Sequence, residues 1–288
     1  MNAPWQTRDG RLSGLKACVF AALFLPVLAL AGWAAEDSLG PRPLTEAIHE
    51  TGLWGIRLLF LSLAVTPLRE ALGLARLVLV RRMIGVAGFC YLGLHLTLYA
   101  ADQGFDLPHV AGEIVRRVYL LIGLTGLLML AALAATSTDF MVRRLGGRNW
   151  QRLHYLAYPA GLLATVHFFL QSKLDVREAT VMGGLYAWLM LYRLRRSRGR
   201  PSIAVLTLLA LIATAAAFGG EALYFWLKNG VEPARVLAAY MSFRLGPRPA
   251  WVVLGITAGV MLTTAARRVI WPAPARPVVS RSPPSAAR

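Results

Sequence analysis

An all-α, polytopic membrane bundle is the fold class this chain predicts, on three observations. Of its 288 residues 57% are hydrophobic, with a mean hydropathy of +0.53. Only 16% are charged, against about 25% in ordinary soluble domains. The apolar residues gather into blocks long enough, as helices, to cross a bilayer core of about 30 Å, which takes roughly 20 residues. The alternating ten-residue segments of a membrane β-barrel are missing.

Eight spans are expected, near residues 17–35, 52–68, 83–100, 118–136, 154–171, 178–192, 203–221 and 250–266. Arg8, Arg11 and Lys16 precede the first apolar run, which ends near Ala34 and Ala35, a layout shared with cleaved signal peptides. Cleavage would leave seven spans and break the charge alternation of the loops, so the first helix is expected to stay. Spans one to six form a core over 17–192, after a short cytoplasmic N-terminus at 1–16. The basic run RLRRSRGRP at 193–201 opens a cytoplasmic linker (193–202), and two extra helices follow over 203–270. The tail from Trp271 is rich in Pro, Ser and Arg, the composition of a disordered segment.

A net charge of +17 could point to nucleic acid, but its placement points to topology. Sorting the loops alternately puts 21 Lys/Arg and 3 acids on one side, and 9 Lys/Arg with 11 acids on the other; Arg57 lies inside a span. That asymmetry follows the positive-inside rule, so both termini are expected in the cytoplasm. Basic loops beside anionic lipid need no nucleic-acid partner. Cys18 and Cys90 lie in different spans, in no metal spacing, and read as small buried residues. No CxxCH occurs, so any haem would be of b type, held without a covalent link.

Histidines in hydrocarbon are costly and rarely idle. His95 lies 12 residues into span three and His167 lies 13 residues into span five, both counted from the basic side. At about 1.5 Å per residue they reach nearly one level, in the outer half of the membrane. Two imidazoles at one level are a usual way to hold a haem iron from both faces. The flanking Gly93, Leu94, Leu96, Phe168 and Phe169 would make its pocket, with Gly88 and Gly93 admitting a flat macrocycle. The alternative is two unrelated histidines bonded within the bundle.

His154 stands at the cytoplasmic end of span five. A partner at its level would fall near Arg82, where there is no histidine. It could ligate a second haem with another axial ligand, bond a quinone or flavin, or serve a loop carbonyl. Pro159, between His154 and His167, is expected to kink the helix. Arg57 sits near the level of the histidine pair, where a haem propionate or snorkelling to the interface would satisfy it. His49 reads as a loop or quinone-edge residue and His109 as solvent-exposed.

Several motifs then carry a resemblance: Thr66-Pro67-Leu68; Arg81-Arg82-Met83-Ile84-Gly85 leading to Leu94-His95-Leu96-Thr97-Leu98-Tyr99; Thr136-Ser137-Thr138; Arg144-Leu145-Gly146; Trp150-Gln151-Arg152-Leu153-His154; and Val166-His167-Phe168. Over about residues 12–195 the chain resembles the haem-binding membrane subunit of bacterial protein-methionine-sulfoxide reductase systems (the MsrQ, formerly YedZ, family), in the ferric-reductase-like transmembrane superfamily. The resemblance implies a six-helix inner-membrane cytochrome, an electron-transfer subunit rather than the catalytic one. It would pass electrons from the quinone pool to a periplasmic molybdopterin-dependent methionine-sulfoxide reductase that repairs oxidised proteins. It implies b haem, one or two, on His95, His154 and His167, a basic residue at Arg57, and FMN, for which no motif is visible. A flavin reductase is the other donor it allows. The competing reading is a ferric or oxygen reductase served by a separate flavin protein, because no stretch is long enough for a nucleotide-binding domain. The two extra helices exceed the usual six-helix core.

Overall fold

The computed structural model describes residues 3–7, 9–172, 175–195, 200–244 and 246–270. The tail at 271–288, expected to be disordered, and residues 196–199 of the linker lie outside the described residues. Of the described residues 81% are helical. Among the described residues there is no strand, only one isolated bridge between Gln6 and Leu12.

The helices follow in order: α1 (Gly14–Ala22), α2 (Leu25–Ala35), α3 (Pro43–Leu72), α4 (Arg81–Asp102), α5 (Leu107–Arg116), α6 (Val118–Ala135), α7 (Asp139–Leu145), α8 (Gly147–His154), α9 (Ala157–Gln171), α10 (Arg177–Leu194), α11 (Ile203–Asn229), α12 (Pro233–Tyr240) and α13 (Pro249–Ile270). Taking α1–α2 and α8–α9 as single rods, seven helices of the described residues are long and apolar enough to cross a membrane. The chain is a multi-pass all-α membrane protein. The expected sixth span is α10, an 18-residue helix carrying Arg177, Glu178 and Arg193 at its ends.

An inserted hydroxyl and missing proline amides explain the helix breaks. In an unbroken helix the amide of Val27 would bond to the carbonyl of Leu23. Here the Tyr91 hydroxyl of α4 stands between them, accepting from Val27 N at 3.1 Å and donating to Leu23 O at 2.8 Å. This inserted side chain, with Pro26 lacking the amide that Ala22 O would take, parts α1 from α2 and ties the first span to α4. Pro159 acts similarly. It cannot donate to Tyr155 O, which takes Tyr158 N instead, and the helix breaks at Tyr155–Leu156, just upstream of the proline. The expected kink is therefore a change of helix, with His154 on α8 and His167 on α9.

The main core joins Ile56, Leu59, Phe60 and Leu63 of α3 to Trp188, Leu189 and Tyr192 of α10 and to Ala213 and Val253 of the last two long helices. The helices α11 and α13 thus pack directly on the core. Gly184 shows how closely: a Cβ there would stand 2.7 Å from Val253 and 2.9 Å from Ala217. Large apolar residues such as Leu28, Leu128, Leu162 and Leu262 stay exposed, as helix faces toward lipid require. Cys18 and Cys90, expected to be buried, are both exposed and free. Each occupies an outward helix face that apolar periodicity does not mark within an apolar span.

Candidate functional site: two histidines on facing helices

Helix α4 brings His95 and α9 brings His167 to one place, with ring centres 6.2 Å apart and ring planes at 87°. Each ring is anchored through the same atom. His95 Nδ1 lies 2.8 Å from the carbonyl of Ile48 on α3, and His167 Nδ1 lies 2.7 Å from the carbonyl of Tyr119 on α6. A carbonyl only accepts, so Nδ1 must carry the proton in both rings and Nε2 keeps its lone pair. That is the tautomer of a metal-ligating histidine held by an outer backbone partner.

The separation suits a metal between the rings. Two metal–imidazole bonds of about 2.0 Å, each with roughly 1.1 Å from nitrogen to ring centre, total about 6.2 Å. Among the described residues no group of three or more His, Cys, Asp or Glu gathers there or elsewhere. Two protein donors suit a metal that brings its other ligands with it, as a haem does. The residues fit that group.

The surroundings differ from expectation in detail. Gly88 faces α3: a Cβ there would meet Leu59 N at 3.2 Å and Gly55 O at 3.3 Å, so it serves helix packing rather than a macrocycle. Gly93 opens on free space. Phe168 packs on the main core, and Phe169 sits against Gly183 of α10 and Tyr224 of α11. His49 stands on the second turn of α3 instead of in a loop, and His109 is exposed in the first turn of α5.

Beyond the pair, a cavity of about 400 Å³ opens among Tyr99, Gln103, Glu113, Arg117, Tyr119 and Gln171. Tyr99 and Gln171 each stand one turn past a histidine, so the cavity adjoins the site. Its cation, Arg117, bonds to the Tyr119 hydroxyl at 3.2 Å and to Glu113 at 2.5 Å. The Tyr119 bond, then the Glu113 charge, raise its pKa above the ordinary guanidinium value.

The other two expected residues lie apart. Arg57 bonds to Glu178 of α10 at 3.2 Å and lies over the Trp54 ring, 5.1 Å from its centre. Among the described contacts, none joins it to His95 or His167. His154 stacks on Trp150 at 3.7 Å, with Nδ1 3.0 Å from Trp150 O and Nε2 3.4 Å from Ser137 Oγ. Arg81 and Arg82 are its charged neighbours, consistent with the missing histidine near position 82. The carbonyls of Ile48 and Tyr119 escape sequence reasoning, because a backbone acceptor leaves no mark on residue type.

Known proteins match much of the chain in sequence. The family model described as "Ferric reductase like transmembrane component" matches residues 51–165, which include His95 and His154 and stop just short of His167. Curated relatives named "Protein-methionine-sulfoxide reductase heme-binding subunit MsrQ" match over a longer stretch. One from Xanthomonas campestris pv. campestris is 44% identical over 186 residues, covering 62% of this chain and 84% of the relative. One from Xanthomonas oryzae pv. oryzae is 41% identical over 201 residues, covering 65% and 91%. One from Rhodospirillum rubrum is 39% identical over 191 residues, covering 64% and 92%. No solved structure matches the chain. From 84% to 92% of the length of these relatives is thus matched in a chain whose helices bring two like-anchored histidines together, and the chain belongs to the family of protein-methionine-sulfoxide reductase heme-binding subunits, MsrQ.

Proposed function

We propose that this chain is a haem b electron-transfer subunit of the bacterial inner membrane, with both termini cytoplasmic. It takes electrons from the quinone pool, or from a flavin reductase, and delivers them to a periplasmic molybdopterin-dependent methionine-sulfoxide reductase. The observation that carries this is the pair of imidazoles at 6.2 Å, both fixed through Nδ1. The relatives' printed name supports a haem-binding role in such a system. The loop charge asymmetry supports the orientation.

Bound haem supplies a one-electron iron couple. His95 and His167 hold it from two helices, and the carbonyls of Ile48 and Tyr119 keep both rings in the ligating tautomer. The apolar bundle excludes water. Arg57, paired with Glu178 whose side chain is 52% exposed, would be the basic residue offered to a propionate. His154 is the third ligand, on the cytoplasmic side where electrons arrive. FMN has resemblance alone behind it.

Absorption spectra of the purified chain before and after dithionite, with pyridine haemochrome quantification, test the reading. A low-spin bis-imidazole spectrum is expected, lost for the most part in His95→Ala and His167→Ala. A colourless wild type, or a spectrum unchanged in those variants, would overturn it. Reoxidation of the reduced chain should need the periplasmic partner; equally fast transfer to Fe(III) alone favours a ferric reductase.

A further inference from the structure

Both histidine anchors are built on one plan. On α3 the acceptor is the carbonyl of Ile48, and four residues on stands Gly52; on α6 it is the carbonyl of Tyr119, and four residues on stands Gly123. In an α-helix the carbonyl of residue i already takes the amide of residue i+4. An outside donor must reach it from the side, past the side chain of that i+4 residue. Glycine there leaves the approach open.

The clearances are alike. A Cβ on Gly52 would stand 2.8 Å from His95 Nδ1 and 3.1 Å from its Cε1. A Cβ on Gly123 would stand 2.8 Å from His167 Nδ1 and 2.9 Å from its Cε1. Those positions lie inside van der Waals contact, and the ring could yield only by giving up its bond to the carbonyl. Glycine in a helix interior is less stable than alanine, yet it stands in this register on both helices. Gly126, one turn past Gly123, shows the contrast: a Cβ there would meet Leu163 at an ordinary 3.5 Å.

We propose that Gly52 and Gly123 are positioning residues: each forms, with the carbonyl four residues before it, a socket that fixes one axial imidazole, and together they impose the perpendicular ring planes. This deepens the haem reading and rests on it. The sockets act on a bound iron only through the rings. Perpendicular axial imidazoles give ferric haem a strongly anisotropic low-spin signal, because neither ring plane then defines a preferred direction for the iron d orbitals.

Electron paramagnetic resonance of the oxidised wild type is the first test. A strongly anisotropic low-spin signal is expected; the rhombic signal of near-parallel rings would overturn the proposal without any variant. The second test compares Gly52→Ala and Gly123→Ala with Gly255→Ala, a helix glycine with open space around its Cβ position. The socket variants should shift the low-spin signal and lose haem to apomyoglobin about tenfold faster or more, within the 10–100-fold range seen for loss of outer-shell partners. Gly255→Ala should match wild type. Socket variants with wild-type signal and haem retention would overturn the proposal. A wild type with no bis-imidazole spectrum would instead bring down the reading beneath it.

Discussion

The guanidinium of Arg193 on α10 donates through Nη2 to the carbonyl of Leu63 on α3, 2.5 Å away. That carbonyl is open because Pro67, four residues on and buried near the end of α3, has no amide to give it. Arg193 Nη1 also donates to Leu189 O in its own helix, and the cation lies 5.1 Å from the centre of the Tyr158 ring. One cation thus completes a proline-interrupted helix and ties three helices of the core together. Thr66-Pro67-Leu68 and Arg193, far apart in the chain, belong to one structural device.

Removing that device should cost stability in a way that depends on the proline. Arg193→Ala leaves a buried carbonyl without a partner, a loss of about 1–3 kcal/mol. In a Pro67→Ala background the new amide serves Leu63 O, so the same arginine change should cost clearly less. Thermal unfolding in detergent of the four proteins of this cycle measures the coupling. Strictly additive losses would show that Arg193 does not complete the Pro67 gap.

Apolar length and loop charge suffice to place the long helices, since a bilayer demands both and leaves few alternatives, but not the short α5, α7 and α12 between them. Counting residues from the basic ends also brought His95 and His167 to a common level, because depth in a straight helix is proportional to residue number. The same counting could not locate the break between His154 and His167, which depends on which carbonyl Pro159 strands. It could not see that Tyr91 opens the first span, because that contact is 64 residues away in sequence. Gly52 and Gly123 were invisible as well: a glycine among apolar helix residues looks alike whether it admits a ring or a neighbouring helix.

His154 shares one property with His95 and His167. Its Nδ1 also faces a backbone carbonyl, that of Trp150, and among the described residues its Nε2 has only the long contact to Ser137. A ring in this state is ready to ligate once a weak hydroxyl contact gives way. His154→Ala is therefore expected to lower haem per protein in pyridine haemochrome assays while preserving the spectrum of the His95/His167 site. An unchanged ratio would remove His154 from the ligand set and leave it a quinone- or flavin-side residue.

The last helices, α11 to α13, carry their own buried charge, and it yields a separate prediction. Glu221 of α11 is 1% exposed and is held by Arg248 at 3.0 Å and by the Tyr240 hydroxyl. Burial and this carboxylate raise the Tyr240 pKa, so the phenol stays protonated and donates. Tyr240 also receives the amide of Ala250 at 3.4 Å, and its carbonyl receives the indole of Trp251 at 3.1 Å. The network therefore clips α11, α12 and α13 together at one end. Breaking a buried pair by removing one partner costs about 3–5 kcal/mol, whereas replacing both partners by apolar groups is often neutral. Arg248→Ala should accordingly lower the unfolding midpoint sharply, and the double change Arg248→Met with Glu221→Leu should recover most of the loss. The absorption spectrum of the haem site should stay as in wild type, since both histidines and their anchors lie on α3, α4, α6 and α9. Equal losses in the single and double variants would show that the carboxylate is not the costly element, and an altered haem spectrum would tie the last two long helices to the site itself.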